Sequence, residues 1–227
     1  MHSKDGICKE FKFDCIFNQS NQNHVFQGAQ IPYMLDQFIQ GYDAAIMAYG
    51  LTGSGKTYTM SGELCTDNCQ SHENDGIIQK GIQYIFNKIQ SDTTISISYT
   101  QVYQEKVYDM LKGYEGLKSP LKLRSTNNGG FAAENLTVVK IFKAEEALNI
   151  LLKGSKQIVI AENRLNIQSS RSHTIYTIIL KKKDPREHIG KITSQIQFID
   201  LAGSERFAYF KDANKTHVKE WYITNTA

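Results

Sequence analysis

The stretch Gly50-Leu51-Thr52-Gly53-Ser54-Gly55-Lys56-Thr57 constrains the fold of this chain more than any other. It fits the phosphate-binding pattern G-x-x-x-x-G-K-[ST] at every fixed position. The apolar residues 44–49 before it predict a buried strand, and residues 57–60 after it predict the first turn of a helix. Glycines let backbone N–H groups converge on an anion, and a helix N-terminus adds partial positive charge. The stretch therefore predicts a nucleotide site in an α/β fold.

Two side chains of this loop have predicted roles. Lys56 would reach the β- and γ-phosphates of a nucleotide, and the hydroxyl of Thr57 would ligate Mg²⁺. The alternative is a chance glycine-rich turn before a surface helix. The strand before the loop and the helix after it argue against that alternative.

Composition limits the class of protein. With 227 residues, of which 41% are hydrophobic, the chain suffices for one globular α/β domain with a sizeable core. No apolar run has the length that a bilayer requires, and residues 1–5 lack the apolar core of a signal peptide, so we expect a soluble intracellular protein. The net charge of +3 is too small to argue for nucleic acid.

The four cysteines raise the question of a metal site. Cys65 and Cys69 stand close to His72, but no fourth ligand follows nearby. Free thiols in a reducing compartment are therefore the preferred interpretation for these two and for Cys8 and Cys15.

Periodicity outlines the remaining elements. Alternation of apolar and polar residues predicts strands at residues 11–17 and 94–102, and two strongly β-prone runs predict strands at residues 174–180 and 192–199. Helical spacing predicts helices at residues 25–40, 77–89 and 144–152, the last ended by Gly154. A small hairpin is expected from residues 121–124 and 136–139, turned by residues 127–130. The lysines at 181–183 are expected at a solvated hairpin tip, with a docking patch as the alternative.

An acidic residue at the end of an apolar strand forms a second constellation. Asp200 ends the run of residues 197–200, and Gly203 follows shortly after. In phosphate-loop enzymes such an acid holds Mg²⁺, and the glycine N–H can contact the γ-phosphate. The alternative is an ordinary aspartate at a strand end, but the phosphate loop upstream favours the functional interpretation.

A serine-rich stretch over residues 166–173 forms the third constellation. The hydroxyls of Ser169 and Ser170 could orient an attacking water or contact Mg²⁺ and the γ-phosphate. Arg171 could form an ion pair with Glu205 and so close the site. A serine-rich surface loop is the alternative.

Together these stretches resemble the motor domain of the kinesin family. Residues 48–60 are similar to its phosphate loop, Asn166-x-x-Ser169-Ser170-Arg171-Ser172-His173 to its switch I, and Asp200-Leu201-Ala202-Gly203-Ser204-Glu205-Arg206 to its switch II. Ser98-Tyr99-x-x-Val102-Tyr103-x-Glu105-x-Val107-Tyr108-Asp109 also resembles a strand of the family and its continuation. The likeness runs from residue 11 to the C-terminus, so residues 1–10 are expected to be an extension and residues 11–227 a partial motor domain.

The resemblance implies a fold and an activity. The fold would be a P-loop NTPase with a mixed, mainly parallel central sheet and helices on both faces. The activity would be microtubule-stimulated hydrolysis of ATP with Mg²⁺, coupled to movement, in the cytoplasm on the microtubule cytoskeleton. Microtubules would be the partner, with no nucleic acid and no membrane. Dimerisation is expected only through segments absent from this chain.

The resemblance also implies a set of site residues. The nucleotide would be held by Gly50, Leu51, Thr52, Gly53, Ser54, Gly55, Lys56, Thr57 and Tyr58, with the Tyr58 ring beside the adenine. The catalytic set would be Ser169, Ser170, Arg171, Gly203 and Glu205, with Arg171 and Glu205 as the closing ion pair. Thr57, Ser170 and Asp200 would serve the metal.

Departures from the family pattern support an alternative. No Arg-x-Arg-Pro-like adenine contact precedes residue 11, and residues 218–227 match only the first turns of the switch II helix. The alternative is a truncated, non-motile remnant that binds microtubules or another partner, through lysines such as Lys211, Lys215 and Lys219, with weak or no ATPase activity. A GTPase is disfavoured because the guanine-specifying N-K-x-D pattern is missing.

Overall fold

A computed structural model describes residues 10–63, 73–126, 130–165, 171–184 and 190–205 of the chain. The helices in these ranges are α1 (Gln22–Gly28), α2 (Ile31–Gln40), α3 (Lys56–Ser61), α4 (Ile77–Lys88), α5 (Tyr114–Lys118) and α6 (Ala144–Leu165). The strands are β1 (Ala44–Ala48), β2 (Thr94–Tyr103), β3 (Lys106–Asp109), β4 (Leu123–Ser125), β5 (Phe131–Ala133), β6 (Val139–Ile141), β7 (His173–Lys183) and β8 (Lys191–Asp200). The elements predicted at residues 77–89, 94–102, 174–180 and 192–199 are therefore confirmed. The lysines expected at a hairpin tip, residues 181–183, lie instead within β7, because its pairing with β8 continues to Lys183.

Among the described residues, six strands form the central sheet, in the order β1-β8-β7-β2-β3, with β6 also paired to β2. Strand β1 runs parallel to β8, whereas the other pairings of this sheet within the described residues are antiparallel. The sheet is mixed, as expected, but the expectation of a mainly parallel sheet is wrong for this part of the chain. Short connections, such as the turn between β2 and β3, force neighbouring strands to run antiparallel.

The core lies on one face of this sheet. Tyr99, Tyr176 and Phe198 stand directly opposite one another on β2, β7 and β8, and all three are buried. Helix α4 packs against the Phe198 ring, and the Tyr176 hydroxyl donates a 2.9 Å hydrogen bond to the carbonyl of Ala147 in α6. Within the described residues, these contacts place the helical layer on this face. The helix expected over residues 218–227 lies outside the described ranges.

Helix α6 continues past the point where its end was predicted. The expectation that Gly154 stops the helix is wrong, because α6 runs to Leu165. A Cβ atom at Gly154 would overlap the ring of Tyr99. The glycine therefore allows the helix to approach the sheet closely, and this packing outweighs its poor helix propensity.

The N-terminal region differs from expectation in two places. Residues 11–17 form no strand, and Phe11, Phe13 and Ile16 are exposed, because alternation yields a strand only where a neighbouring edge accepts its hydrogen bonds. The helix predicted over residues 25–40 is two helices, α1 and α2, separated by Gln30 in the left-handed conformation with φ of 56°.

The second strand of the small hairpin differs from the predicted one. Strand β4 pairs with β5, whereas β6 pairs with β2 of the central sheet. The Thr126 N–H donates to the Gly130 carbonyl at 2.7 Å, which closes a tight turn. The chain immediately after that turn, rather than residues 136–139, therefore returns along β4. Residues 127–129 of the turn lie outside the described ranges.

Candidate functional site

The parallel pairing of β1 and β8 positions the site. Ala48 and Asp200 are opposite each other in this register, at the carboxyl ends of both strands. The loop that follows β1 and the segment that follows β8 therefore leave the sheet side by side. Ligands in α/β folds bind at such carboxyl ends.

The phosphate loop has the shape of an anion cradle. Gly53 and Gly55 adopt positive φ angles of 75° and 92°, which side chains rarely allow. A Cβ atom at either glycine would point into open space. Helix α3 then begins at Lys56 with no side-chain cap on its N-terminus, so N–H groups of the first turn are left for a ligand. The loop residues present fit a phosphate group.

The side chain of Lys56 lies back over its own loop. Its ammonium group donates to the carbonyl oxygens of Gly50 at 3.1 Å and Leu51 at 2.8 Å. These contacts hold the positive charge beside the cradle, and neutral carbonyls are weaker partners for an ammonium group than phosphate oxygens.

The hydroxyl of Thr57 and the carboxylate of Asp200 meet directly. Thr57 donates to Oδ2 of Asp200 at 2.6 Å, while Oδ1 of Asp200 is buried without a hydrogen-bond partner. Burial raises the pKa of Asp200, whereas the Thr57 hydrogen bond and the charges of Lys56 and His173 oppose that rise. A buried carboxylate oxygen without a partner, next to a hydroxyl, suits a small divalent cation with oxygen ligands. The residues therefore fit Mg²⁺.

The backbone after β8 is tied to three different partners. The N–H of Leu201 donates to Ala48 at 3.3 Å, that of Ala202 to Nδ1 of His173 at 3.0 Å, and that of Ser204 to Gly50 at 3.0 Å. Between them, the N–H of Gly203 makes no hydrogen bond to the described residues. The structure thus leaves this donor available beside the phosphate loop, as its predicted contact with a γ-phosphate requires.

Glu205 contacts the phosphate loop. Its carboxylate accepts a 2.9 Å hydrogen bond from the Thr52 N–H and another from the Thr52 hydroxyl. Desolvation raises the pKa of Glu205, but these hydrogen bonds outweigh it and lower the pKa overall. The structure brings Glu205 to Thr52, and its pairing with Arg171 stays a prediction.

Other predicted site residues are distributed as follows. Arg171 stands two residues before β7, and Tyr58 lies on α3, about half exposed, with its hydroxyl 3.3 Å from Oδ1 of Asn74. Ser169 and Ser170 lie outside the described residues. The roles predicted for these four residues stay predictions.

Sequence reasoning assigned no role to two contacts at the site. His173 binds the backbone of Ala202, and the Gln101 amide donates to the Ser172 hydroxyl at 2.8 Å. Both join the start of β7 to neighbouring elements. His173 belongs to the serine-rich stretch of residues 166–173, and that motif could have indicated its importance. Gln101 lies in a strand whose apolar–polar alternation does not indicate a buried polar partner.

Two further predictions concern membrane segments and the cysteines. Among the described residues, no helix combines the length and apolarity needed to cross a membrane. Cys15 is an exposed free thiol, as predicted, while Cys65, Cys69 and His72 lie outside the described ranges.

Comparison with protein families gives a match over nearly the whole chain. Residues 2–227 match the kinesin motor domain. The match begins before residue 11, where the likeness was expected to start.

Curated proteins extend this similarity. The chain is 33% identical over 207 residues to chromosome-associated kinesin KIF4 of Mus musculus, covering 88% of this chain and 17% of the relative. It is 37% identical over 210 residues to centromere-associated protein E of Homo sapiens, covering 88% and 7%. For kinesin-related protein 13 of Dictyostelium discoideum the identity is 34% over 229 residues, covering 97% and 17%. The chain therefore spans less than a fifth of the length of these relatives.

A solved structure has the same architecture. The structure of a fast kinesin, described for its implications for ATPase mechanism and interactions with microtubules, superposes with a TM-score of 0.80 at 26% identity. The superposition covers 92% of this chain and 58% of that one. The fold of this chain is thus similar to that of a solved kinesin.

Proposed function

The chain belongs to the kinesin motor-domain family, and we propose that it binds ATP with Mg²⁺ at the phosphate loop and couples its hydrolysis to microtubule binding and movement. One observation carries the proposal. Lys56, Thr57, Asp200 and the N–H of Gly203 converge at the carboxyl ends of parallel β1 and β8.

The phosphate loop would bind the triphosphate. The N–H groups of residues 53–57 would donate to its oxygens, and Lys56 would exchange the carbonyls of Gly50 and Leu51 for phosphate. Tyr58 would lie beside the adenine. The lysine is already adjacent to the cradle, so binding requires little more than rotation of its side chain.

Thr57 and Asp200 would hold the metal, with Ser170 as a further ligand. When bound, Mg²⁺ neutralises negative charge on the phosphate oxygens. The hydrogen bond between Thr57 and Asp200 keeps the hydroxyl and the carboxylate together. The ligands are therefore pre-positioned, which lowers the ordering cost of binding.

Hydrolysis would depend on positioning and electrostatics. Ser169 and Ser170 would orient the attacking water, and the Gly203 N–H would stabilise charge on the terminal phosphate. Glu205 would pair with Arg171 in the closed site, and to do so its carboxylate must leave Thr52. We therefore propose an exchange of partners by Glu205, from the phosphate loop to Arg171, as the step that commits the site to turnover.

The partner and location follow from the family. Microtubules are the proposed track, with a cytoplasmic, cytoskeletal location, and residues 11–227 would supply the motor core. Neither nucleic acid nor membrane is proposed as a partner. The family membership and the fast-kinesin similarity support this proposal.

The test is phosphate release by the purified chain with ATP or GTP, each with Mg²⁺, with and without microtubules. We expect turnover with ATP that rises when microtubules are added, little turnover with GTP, and none in Lys56→Ala. Microtubule co-sedimentation without hydrolysis would overturn the proposal and support the non-motile remnant. Equal turnover with GTP would overturn the assignment of ATP.

A further inference from the structure

A buried hydrogen bond joins strand β2 to the chain just before β7. The side-chain amide of Gln101 donates to the hydroxyl of Ser172 at 2.8 Å, and both residues are buried. Gln101 is opposite Thr174 in the strand register, and Ser172 lies two residues before Thr174, so both side chains are on the same face of the sheet. This is also the face of Tyr99, against which α6 packs. The bond is therefore internal to the fold.

This bond lies one step beyond the backbone pairing of β7. The pairing with β2 ends at His173, and the pairing with β8 ends at Thr174. Ser172 is thus outside both ladders, and the Gln101 amide holds it where strand pairing no longer does. On the other side, Nδ1 of His173 accepts a 3.0 Å hydrogen bond from the Ala202 N–H. Two side-chain bonds therefore continue the order of the sheet into the nucleotide site.

The residues next to Ser172 are the ones that the proposed hydrolysis uses. Arg171 precedes it and is the cation proposed to close the site, while His173 follows it and binds Ala202. The peptide after Ala202 carries the N–H of Gly203, which is proposed to contact the terminal phosphate. A shift of Ser172 would therefore displace the closing cation and loosen the segment that presents this N–H.

The amide of Gln101 is not well suited to stabilise the fold. Its Oε1 atom is buried and has no hydrogen-bond partner among the described residues. A buried acceptor without a partner lowers stability, and an apolar side chain of similar size avoids that penalty. An amide in this position is therefore better explained by what its Nε2 donor holds in place than by a contribution to the core.

From these contacts we propose that Gln101 is a positioning residue of the nucleotide site, which acts through Ser172 to hold Arg171 and His173 in place beside the segment after β8. Its removal slows turnover more than it weakens ATP binding, because the phosphate loop is held by contacts of its own. The effect on turnover rests on the proposed ATP hydrolysis, whereas the effect on the segment after β8 does not.

The experiment compares Gln101→Met with the unaltered full chain in three measurements. Single-turnover phosphate release with ATP and Mg²⁺ should be about tenfold slower, the effect of one neutral hydrogen bond, while ATP affinity changes by less than about twofold. In the nucleotide-free chain, hydrogen exchange of the Ala202 N–H, followed by nuclear magnetic resonance, should be about tenfold faster. The melting temperature should be no lower, because the unpaired Oε1 is removed as well.

Two further variants complete the design. Thr100→Val is the matched control, because Thr100 is the adjacent buried residue of β2 and its side chain lies on the opposite face, so all measurements should stay within about twofold. Ser172→Ala removes the same bond from the other side, and it carries the test if Gln101→Met does not fold. The double variant Q101M/S172A should release phosphate no more slowly than Q101M, because both changes remove one bond.

Three results would overturn the proposal. Unchanged exchange at Ala202 in the folded variants would do so whether or not the chain hydrolyses ATP. Fully additive effects in Q101M/S172A would show that Gln101 does not act through Ser172. A lower melting temperature with unchanged phosphate release would show a structural role alone. If the unaltered chain hydrolyses no ATP, the proposed function fails, and faster exchange at Ala202 in Q101M still supports the positioning role.

Discussion

Two nearby positions of β8, Phe198 and Asp200, illustrate different kinds of order. Around Phe198, β8 packs apolar side chains against α4 and neighbouring strands, and these side chains are buried. Around Asp200, polar groups of β8 and the phosphate loop bind one another through contacts that a ligand can replace. Burial of apolar surface stabilises the region around Phe198. The region around Asp200 holds hydrogen-bond donors and acceptors that a ligand can engage. Changes in the core should therefore alter stability, and changes at the loop should alter binding and turnover.

The largest expected effect is in the core. Phe198→Ala removes a fully buried ring and should reduce the free energy of unfolding by about 3–5 kcal/mol. Urea denaturation followed by circular dichroism measures it. At a temperature where the variant stays folded, its nucleotide affinity should match that of the unaltered chain. A large loss of affinity in the folded variant would contradict the separation of the two regions.

Lys56→Ala tests the second region, at the phosphate loop. Loss of the charged donor should weaken ATP binding by roughly a hundredfold, while the unfolding free energy changes little because the ammonium contacts only loop carbonyls. Isothermal titration calorimetry measures the affinity. Lys88→Ala, on α4 and paired with Asp36, is a matched control that should leave it unchanged. If Lys56→Ala and the unaltered chain bound ATP equally well, Lys56 would not be part of the nucleotide site.

Glu205 separates binding from turnover. Glu205→Ala should slow phosphate release on the order of a hundredfold, because the closing ion pair with Arg171 cannot form. ATP affinity should change by less than about threefold, since a neutral Thr52 contact is all that the loop loses. Single-turnover kinetics measures both quantities.

Glu205→Gln is the control for that experiment. The amide oxygen can still accept a hydrogen bond from Thr52, but it carries no charge for Arg171. We expect this variant to turn over as slowly as Glu205→Ala. Restoration of turnover by Gln would show that the Thr52 contact, and not the ion pair, is the catalytic requirement.

The smallest effect concerns pH. Because burial raises the pKa of Asp200 in the folded chain, the fold binds its proton more tightly than the unfolded chain does. The contribution of protonated Asp200 to stability is therefore lost as pH rises from the ordinary value of 3.8 through the raised pKa.

Asp200→Asn isolates this contribution. In the absence of Mg²⁺, the stability of the unaltered chain should fall relative to this variant as pH rises through that window. The lowered pKa of Glu205 is common to both chains and cancels. Parallel stability–pH curves from thermal melting would contradict the burial of the Asp200 carboxylate.

The same contrast explains what sequence could predict. The positions of the phosphate loop and of the acid at the end of β8 could be predicted because each chemical role needs a particular residue at a fixed spacing, whereas the roles themselves stay predictions. The Thr52–Glu205 contact was not, since it joins residues 153 positions apart through a register that only the folded sheet defines. Local signals also misled where tertiary packing decides, as at Gly154, which lies inside α6 against Tyr99, and at residues 11–17, which pair with no strand in the described part of the chain.

Hydrogen–deuterium exchange with and without Mg²⁺ and ATP tests the central claim most directly. The account predicts that nucleotide slows exchange at residues 53–57 and at Gly203, whose N–H groups gain phosphate partners. Exchange along the core-packed middle of β2 and β7 should stay unchanged. Equal exchange of the loop with and without nucleotide, or slowing that is uniform over the core and the loop, would contradict it.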